Sequence, residues 1–177
     1  MDERAFARLA EDYAGRLYAV AYRMLGNRAD AEDAVQRALL KCFAARTSYS
    51  PRWAVSTWLY RALTNVCIDE LRRRRVRSDV LDLDTDASEA SARNSRRTAG
   101  SPAAPPAGAD RVDLARALDK VPREARVLLA LRYVDGLGYG ELARIRGISV
   151  NTVKSQLARG KAILKTALEA GGHDGSD

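Results

Sequence analysis

Residues 139–160, YGELARIRGISVNTVKSQLARG, carry the chemistry most open to reading in this chain. Ala143 stands four residues before Gly147, and Val153 six after it. Two helices crossing steeply over a short turn need a small side chain where their backbones approach, which Ala143 supplies. The turn needs a residue tolerant of positive φ, which Gly147 supplies. Val153 then plugs the shared core from the second helix. Ser149 is placed to cap that helix. Asn151, Thr152, Lys154 and Ser155 fall on its first turns, where recognition helices present side chains to the major groove. A plain helical hairpin could share the spacing. The cations that follow, Lys154, Arg159, Lys161 and Lys165 with no acid before Glu169, favour a DNA-reading helix-turn-helix.

Two further constellations lie in the first half. Asp30, Glu32 and Asp33 cluster where a helix begins, and Gln36 follows one turn later. Acids at a helix start complement its dipole. The added Gln36 makes a polar face suited to a basic partner helix. Next, aromatics and arginines interleave: Tyr49, Arg52, Trp53, Trp58, Tyr60, Arg61, then Arg72 to Arg75 and Arg77. Unpaired bases stack on aromatics with ~1–3 kcal/mol each, while flanking cations hold phosphates. Such chemistry can hold a melted strand. Trp58 reads as core, whereas Trp53 sits in a loop beside Pro51 and Arg52.

These groups need helices to position them. Phe6, Leu9, Tyr13, Leu17, Val20 and Met24 recur at helical steps, and Gly26 and Asn27 end that helix. A second helix is expected over 29–45, with Ala31, Val35, Ala38, Leu39 and Phe43 inward. A third begins near Ser56 or Thr57, either a possible cap, and runs to the arginines. The second half predicts helices over 112–118 and 123–134, the latter opened by Pro122, before the helix-turn-helix. The expected fold is all-α: two small helical domains, 1–78 and 111–170, on a flexible linker 79–110, with residues 171–177 a frayed tail. The linker is poor in large apolar side chains and holds Pro102, Pro105 and Pro106.

Composition agrees with a polyanion partner. The 177 residues carry a net charge of +7, with a pI near 9.7, and phosphate neutralisation supplies most non-specific affinity. No apolar run approaches the roughly 20 residues that span a bilayer, and the first residues lack an apolar signal core. An intracellular, soluble protein without membrane insertion is expected. Cys42, Cys67 and His173 are the only residues of their types and form no ligand cluster, so no metal and no cofactor is expected. Both cysteines read as buried, inert thiols. No phosphate loop or nucleophile–base motif argues for catalysis.

Taken together, these segments resemble the extracytoplasmic-function (ECF) sigma factors of the bacterial sigma-70 family. GNRADAEDAVQ is similar to the polymerase-binding motif of region 2. STWLYRALTNVCIDELRRRR is similar to its promoter-melting helix, and residues 122–164 to region 4. The resemblance implies that Asp30, Glu32, Asp33 and Gln36 engage the clamp helices of the polymerase β′ subunit. It implies that the loop from Ser48 to Trp53, with Tyr49 and Arg52, captures a flipped base of the −10 element. Arg61 and Asn65 would contact that strand, and Arg72 to Arg75 its phosphates. Asp69 would make a local structural contact. Ser149, Asn151, Thr152, Lys154, Ser155 and Arg159 would contact the −35 duplex. Core RNA polymerase (including its β flap), promoter DNA and an anti-sigma factor are the implied partners, the last able to hold the cytoplasmic protein near the inner membrane. Arg37, Gln156, Gly160-Lys161 and Trp53-Ala54-Val55 depart from the family's commoner residues. Two rival classes remain: a dimeric helix-turn-helix regulator, which leaves the first half without a purpose, and a single-strand RNA-binding helical protein, which leaves the turn spacing unexplained.

Overall fold

The computed structural model describes residues 1–50, 54–83 and 109–171. Every element among them is helical. The first unit comprises α1 (Glu3–Leu25), α2 (Arg28–Ala44), a short 3-10 turn (Arg46–Ser48) and α3 (Val55–Leu83). The second comprises α4 (Ala109–Lys120), α5 (Arg123–Val134), α6 (Tyr139–Arg146) and α7 (Val150–Gly171).

Local chemistry sets the boundaries. The Asp2 side chain accepts from the Ala5 amide at 2.7 Å and starts α1. Gly26 ends it with φ of 77° and donates its N–H to the Tyr22 carbonyl, a left-handed cap that glycine adopts without strain. Asn27 then caps α2, its Oδ1 accepting from the Asp30 amide at 2.9 Å. α2 buries Ala31, Ala34, Val35, Ala38 and Cys42. Mostly small side chains on that face let α2 lie close to α1 and α3, both of which it packs against. α3 contributes Leu59, Tyr60, Leu63, Val66 and Cys67, all essentially inaccessible to solvent. Fully burying one such side chain stabilises by about 1.5–3 kcal/mol, so these rows dominate the unit's stability.

In the second unit α5 is apolar around most of its circumference, with Val127 to Leu131 all buried. A helix buried all round must be surrounded. α5 packs on α7 and α6 and also on α1 of the first unit. Gly160 makes the α5–α7 approach possible: a Cβ there would lie 3.0 Å from Ala125 Cβ and 3.1 Å from Leu129 Cδ1. The buried residues of the two units join in one continuous apolar cluster.

The all-α expectation agrees with these elements, and some boundaries move. α3 begins at Val55, with the Trp58 amide bonded to the Ala54 carbonyl. Ser56 and Thr57 therefore lie inside the first turn, not at the cap, and Thr57 is buried. α3 continues to Leu83, and α4 starts earlier and ends later than the apolar pattern indicated. Solvated helix ends carry no apolar periodicity, so pattern alone cannot place them. The rest of the expected linker, 84–108, and of the expected tail, 172–177, lie outside the described residues.

Candidate nucleic-acid and partner interfaces

The helix-turn-helix has the geometry its spacing predicts. Gly147 closes α6 in the left-handed region, φ 66°. The Ile148 amide reaches back to the Ala143 carbonyl at 3.1 Å. Ala143 is buried at the crossing, and Val153 is completely buried beneath it. Ser149 caps α7, its Oγ accepting from the Thr152 amide at 3.1 Å and lying 2.8 Å from Thr152 Oγ1. Ser155 bonds the Thr152 carbonyl at 3.0 Å. Three hydroxyls thus organise the first turns, while Asn151, Lys154 and Arg159 stand exposed. One face of α7 offers two cations and an amide to a groove, backed by a rigid turn.

The aromatic segment forms a cleft. Trp58 is half-buried; its ring packs edge-on to Phe6, centroids 6.4 Å apart, and lies 5.1 Å from the Tyr49 ring. It is therefore core on one side and cleft wall on the other. A hollow of about 240 Å³ opens beside it, lined by Ser48, Tyr49, Ser50, Thr57, Trp58 and Arg61 among others. A second hollow of about 220 Å³ shares Trp58 and Arg61 and reaches Asn65 and Lys41. The two make a groove along the start of α3, with an aromatic wall, a guanidinium and a carboxamide. Arg52 and Trp53 lie outside the described residues.

On α2 the predicted acidic face is present, and its members are not equivalent. Glu32 pairs with Arg28 at 2.7 Å, which raises the Arg28 pKa through that hydrogen bond and charge. Asp33 lies 3.4 Å from Arg37. Glu32, Asp33 and Gln36 are exposed. Asp30 instead accepts from Asn27 Nδ2 at 2.7 Å and pairs closely with Arg74.

Reading residue types alone misses several participants. Glu70, with 16% of its side chain exposed, gathers Arg37, Arg73, Arg74 and Arg77 at 3.2–3.8 Å. Arg74 also donates to the Leu25 carbonyl at 2.7 Å. Three of the five arginines, Arg73, Arg74 and Arg77, are thereby tied to Glu70; Arg72 lies 3.8 Å from Asp69 and Arg75 4.0 Å from Asp79. The adjacent acids Asp69 and Glu70 just before four arginines are the available signal. Leu40 is 67% exposed on α2, one turn after Gln36; only its position beside the half-buried Leu39 hints at an outward direction. Arg126 is buried and donates to Asp119 and to the Val121 carbonyl, both at 3.2 Å. Burial lowers its pKa, with Asp119 opposing.

No group of His, Cys, Asp or Glu among the described residues could hold a metal ion. No helix among them is long and apolar enough to cross a membrane.

Comparison with known proteins identifies the family of both units. The Sigma-70 region 2 model matches residues 9–77, and the Sigma-70, region 4 model matches residues 111–164. The chain is 32% identical over 171 residues to the ECF RNA polymerase sigma factor SigW of Bacillus subtilis, covering 94% of this chain and 90% of that one. It is 35% identical over 161 residues to SigE of Mycolicibacterium smegmatis, covering 90% and 60%. In fold it is similar to the sigma factor RpoE solved with the anti-sigma factor NepR from Bartonella quintana, TM-score 0.70 at 24% identity over 94% of this chain and 98% of that one. It is also similar to CnrH solved with the cytosolic domain of CnrY, TM-score 0.69 at 22% identity over 96% and 90%. With both conserved regions matched in order and near-complete coverage of a relative, the chain belongs to the ECF sigma factors of the sigma-70 family, non-enzymatic factors of transcription initiation.

Proposed function

We propose that each of the three surfaces carries one step of initiation. The exposed side of α2, through Glu32, Asp33 and Gln36, with Asp30 at its edge and Leu40 as an apolar contact, binds the clamp helices of the polymerase β′ subunit. The groove beside Trp58 holds the unpaired −10 strand. Tyr49 and Trp58 offer stacking surface, and Arg61 and Asn65 offer a cation and a hydrogen-bonding amide. Arg52, Trp53, Arg72 and Arg73 extend this contact. The face of α7 reads the −35 duplex through Asn151, Lys154 and Arg159, with Ser149, Thr152 and Ser155 holding the helix start at the phosphates. Reading two elements with two linked units multiplies their affinities. Region 4 also meets the polymerase β flap. An anti-sigma factor, as in the solved relatives' complexes, restrains the protein in the cytoplasm.

The observation that carries this reading is the pairing of two unlike DNA surfaces on one chain. One is an aromatic groove fit for unpaired bases; the other is a helix-turn-helix face fit for a duplex. Run-off transcription with purified bacterial core polymerase on a genomic fragment library tests it. Discrete start sites sharing two spaced upstream elements are expected. Tight duplex binding by the chain alone, with no new transcripts, would favour a conventional regulator.

A further inference from the structure

The aromatic cleft is held from behind by residues that do not line it. Trp58 reaches it from the start of α3, whereas Ser48 and Tyr49 reach it from the 3-10 turn after α2. A 3-10 turn of three residues has poor internal bonds and holds its shape only with outside support. Ser48 ties this one back to the Ala45 carbonyl, through its amide at 3.1 Å and its Oγ at 2.9 Å.

Arg46, the first residue of the turn, supplies three further ties. Its guanidinium carbon lies 3.9 Å from the centroid of the Phe43 ring. Nη1 donates to the Phe43 carbonyl at 2.9 Å, and Nη2 to Glu3 Oε1 on the first turn of α1 at 3.1 Å. The Arg46 side chain is 22% exposed and that of Glu3 73%, so the stacking and the carbonyl bond outweigh the ion pair. The Phe43 ring in turn meets Phe6 edge-on, centroids 5.4 Å apart. Phe6 backs Trp58, and Trp58 lies against Tyr49. Tyr49 follows Arg46 by three residues, so the contacts close a circuit: Arg46, Phe43, Phe6, Trp58, Tyr49, and back along the chain. Arg46, Phe43 and Phe6 line neither hollow of the groove.

We propose that Arg46 is a positioning residue for strand capture. By pinning the turn to Phe43 and to the start of α1, it fixes the Tyr49 ring relative to Trp58 before a base arrives. A turn left free would have to be ordered at the moment of capture, at the expense of binding. The first turns of α1 thereby serve the −10 strand although neither Glu3 nor Phe6 touches it. This role rests on the assignment of the cleft to the unpaired strand.

The test assembles holoenzyme from purified bacterial core polymerase and the full chain, wild type or Arg46→Lys, on a promoter recovered by the run-off library. Lysine keeps a cation beside the end of α2, where it complements the helix dipole, and keeps a charge for any phosphate. It lacks the planar fork that stacks on Phe43 while bonding in two directions. Two quantities are read: affinity for the duplex promoter in the cold, and permanganate reactivity of −10 thymines per bound promoter on warming. Duplex affinity should be unchanged, while the balance of melted to unmelted bound promoter falls roughly three- to tenfold, the share of a partly desolvated stacking contact. Equal melting with native helicity overturns the role of Arg46 and leaves the cleft reading standing. A loss of duplex affinity equal to the loss of melting also overturns it, because a merely weakened region 2 lowers both. Failure to recover any promoter removes the cleft reading and this role with it. Should Arg46→Lys lose helicity, Glu3→Gln carries the same measurements with the same outcomes. That variant removes an acid, so a loss of melting would run against the non-specific electrostatic trend.

Discussion

Arg74 on α3 turns back from the arginine run to pair with Asp30 at the start of α2, and donates at the same time to the Leu25 carbonyl that ends α1. One guanidinium therefore joins all three helices of region 2. It does so at the edge of the acidic face, which divides that face into a structural corner and a free surface. The division has a measurable consequence.

Asp30→Ala should lower unfolding stability by about 1 kcal/mol, since it removes a partly exposed charge-assisted pair and a cap contact. Asp33→Ala and Gln36→Ala should leave stability within about 0.5 kcal/mol, as surface substitutions do, yet weaken binding to core polymerase. Urea unfolding and polymerase affinity, measured on the same variants, separate the two roles. Equal loss of polymerase affinity at Asp30 and Asp33 with no loss of stability would remove the structural assignment of Asp30.

Lys154→Ala should weaken promoter binding by the holoenzyme without unfolding region 4, because the side chain is exposed and Val153 beside it carries the packing. The informative comparison is between a cognate promoter and one with a scrambled −35 element. A base contact loses affinity only on the first, by about 1–3 kcal/mol. A phosphate contact loses it on both and lowers the salt slope by about one.

What was legible in the sequence divides along physical lines. Ala143, Gly147, Ser149 and Val153 could be read because each meets a local backbone or packing demand at fixed spacing. The polar faces of α2 and α7 could be read because charge and amide residues crowd one turn. Glu70 and Asp135 could not. Their partners come from other helices, and no local pattern records which arginine or tyrosine a carboxylate will meet. Its residue type and spacing make Trp58 core, which describes one of its two faces. Ser56 and Thr57 have the residue types of caps, but cap preference is a statement about residue type, while the true start at Val55 depends on where the preceding loop enters.

Gly160→Ala should destabilise region 4. The new Cβ would stand 3.0 Å from Ala125 Cβ, a methyl that cannot rotate away, and 3.1 Å from Leu129 Cδ1. Overpacking of this kind costs about 1–3 kcal/mol, against a helix-propensity gain of up to about 1 kcal/mol. The net loss should appear as a lower urea midpoint at unchanged slope. Ala125→Gly in the same chain should recover part of it by removing the opposing methyl. A Gly160→Ala chain as stable as wild type would show that α7 can shift away from α5 freely.

Both thiols should be silent toward Ellman's reagent in the native chain and react fully once it is unfolded. Cys42 and Cys67 are buried, and burial pushes their pKa values up from 9.0 to about 11 and about 12. Near neutral pH the folded thiols therefore stay protonated and out of reach of solvent. The sign of the linkage follows. A pKa raised by folding stabilises fully below the unfolded value and loses that stabilisation as pH climbs through the folded one. Urea stability should thus hold up to about pH 9 and fall between pH 9 and 12 as the unfolded thiols ionise. Replacing Cys67 with Ala should lower stability at pH 7, through lost packing, and flatten its alkaline decline. Rapid labelling of either cysteine at pH 8 with native helicity intact would mean that region 2 opens locally far more often than its packing implies.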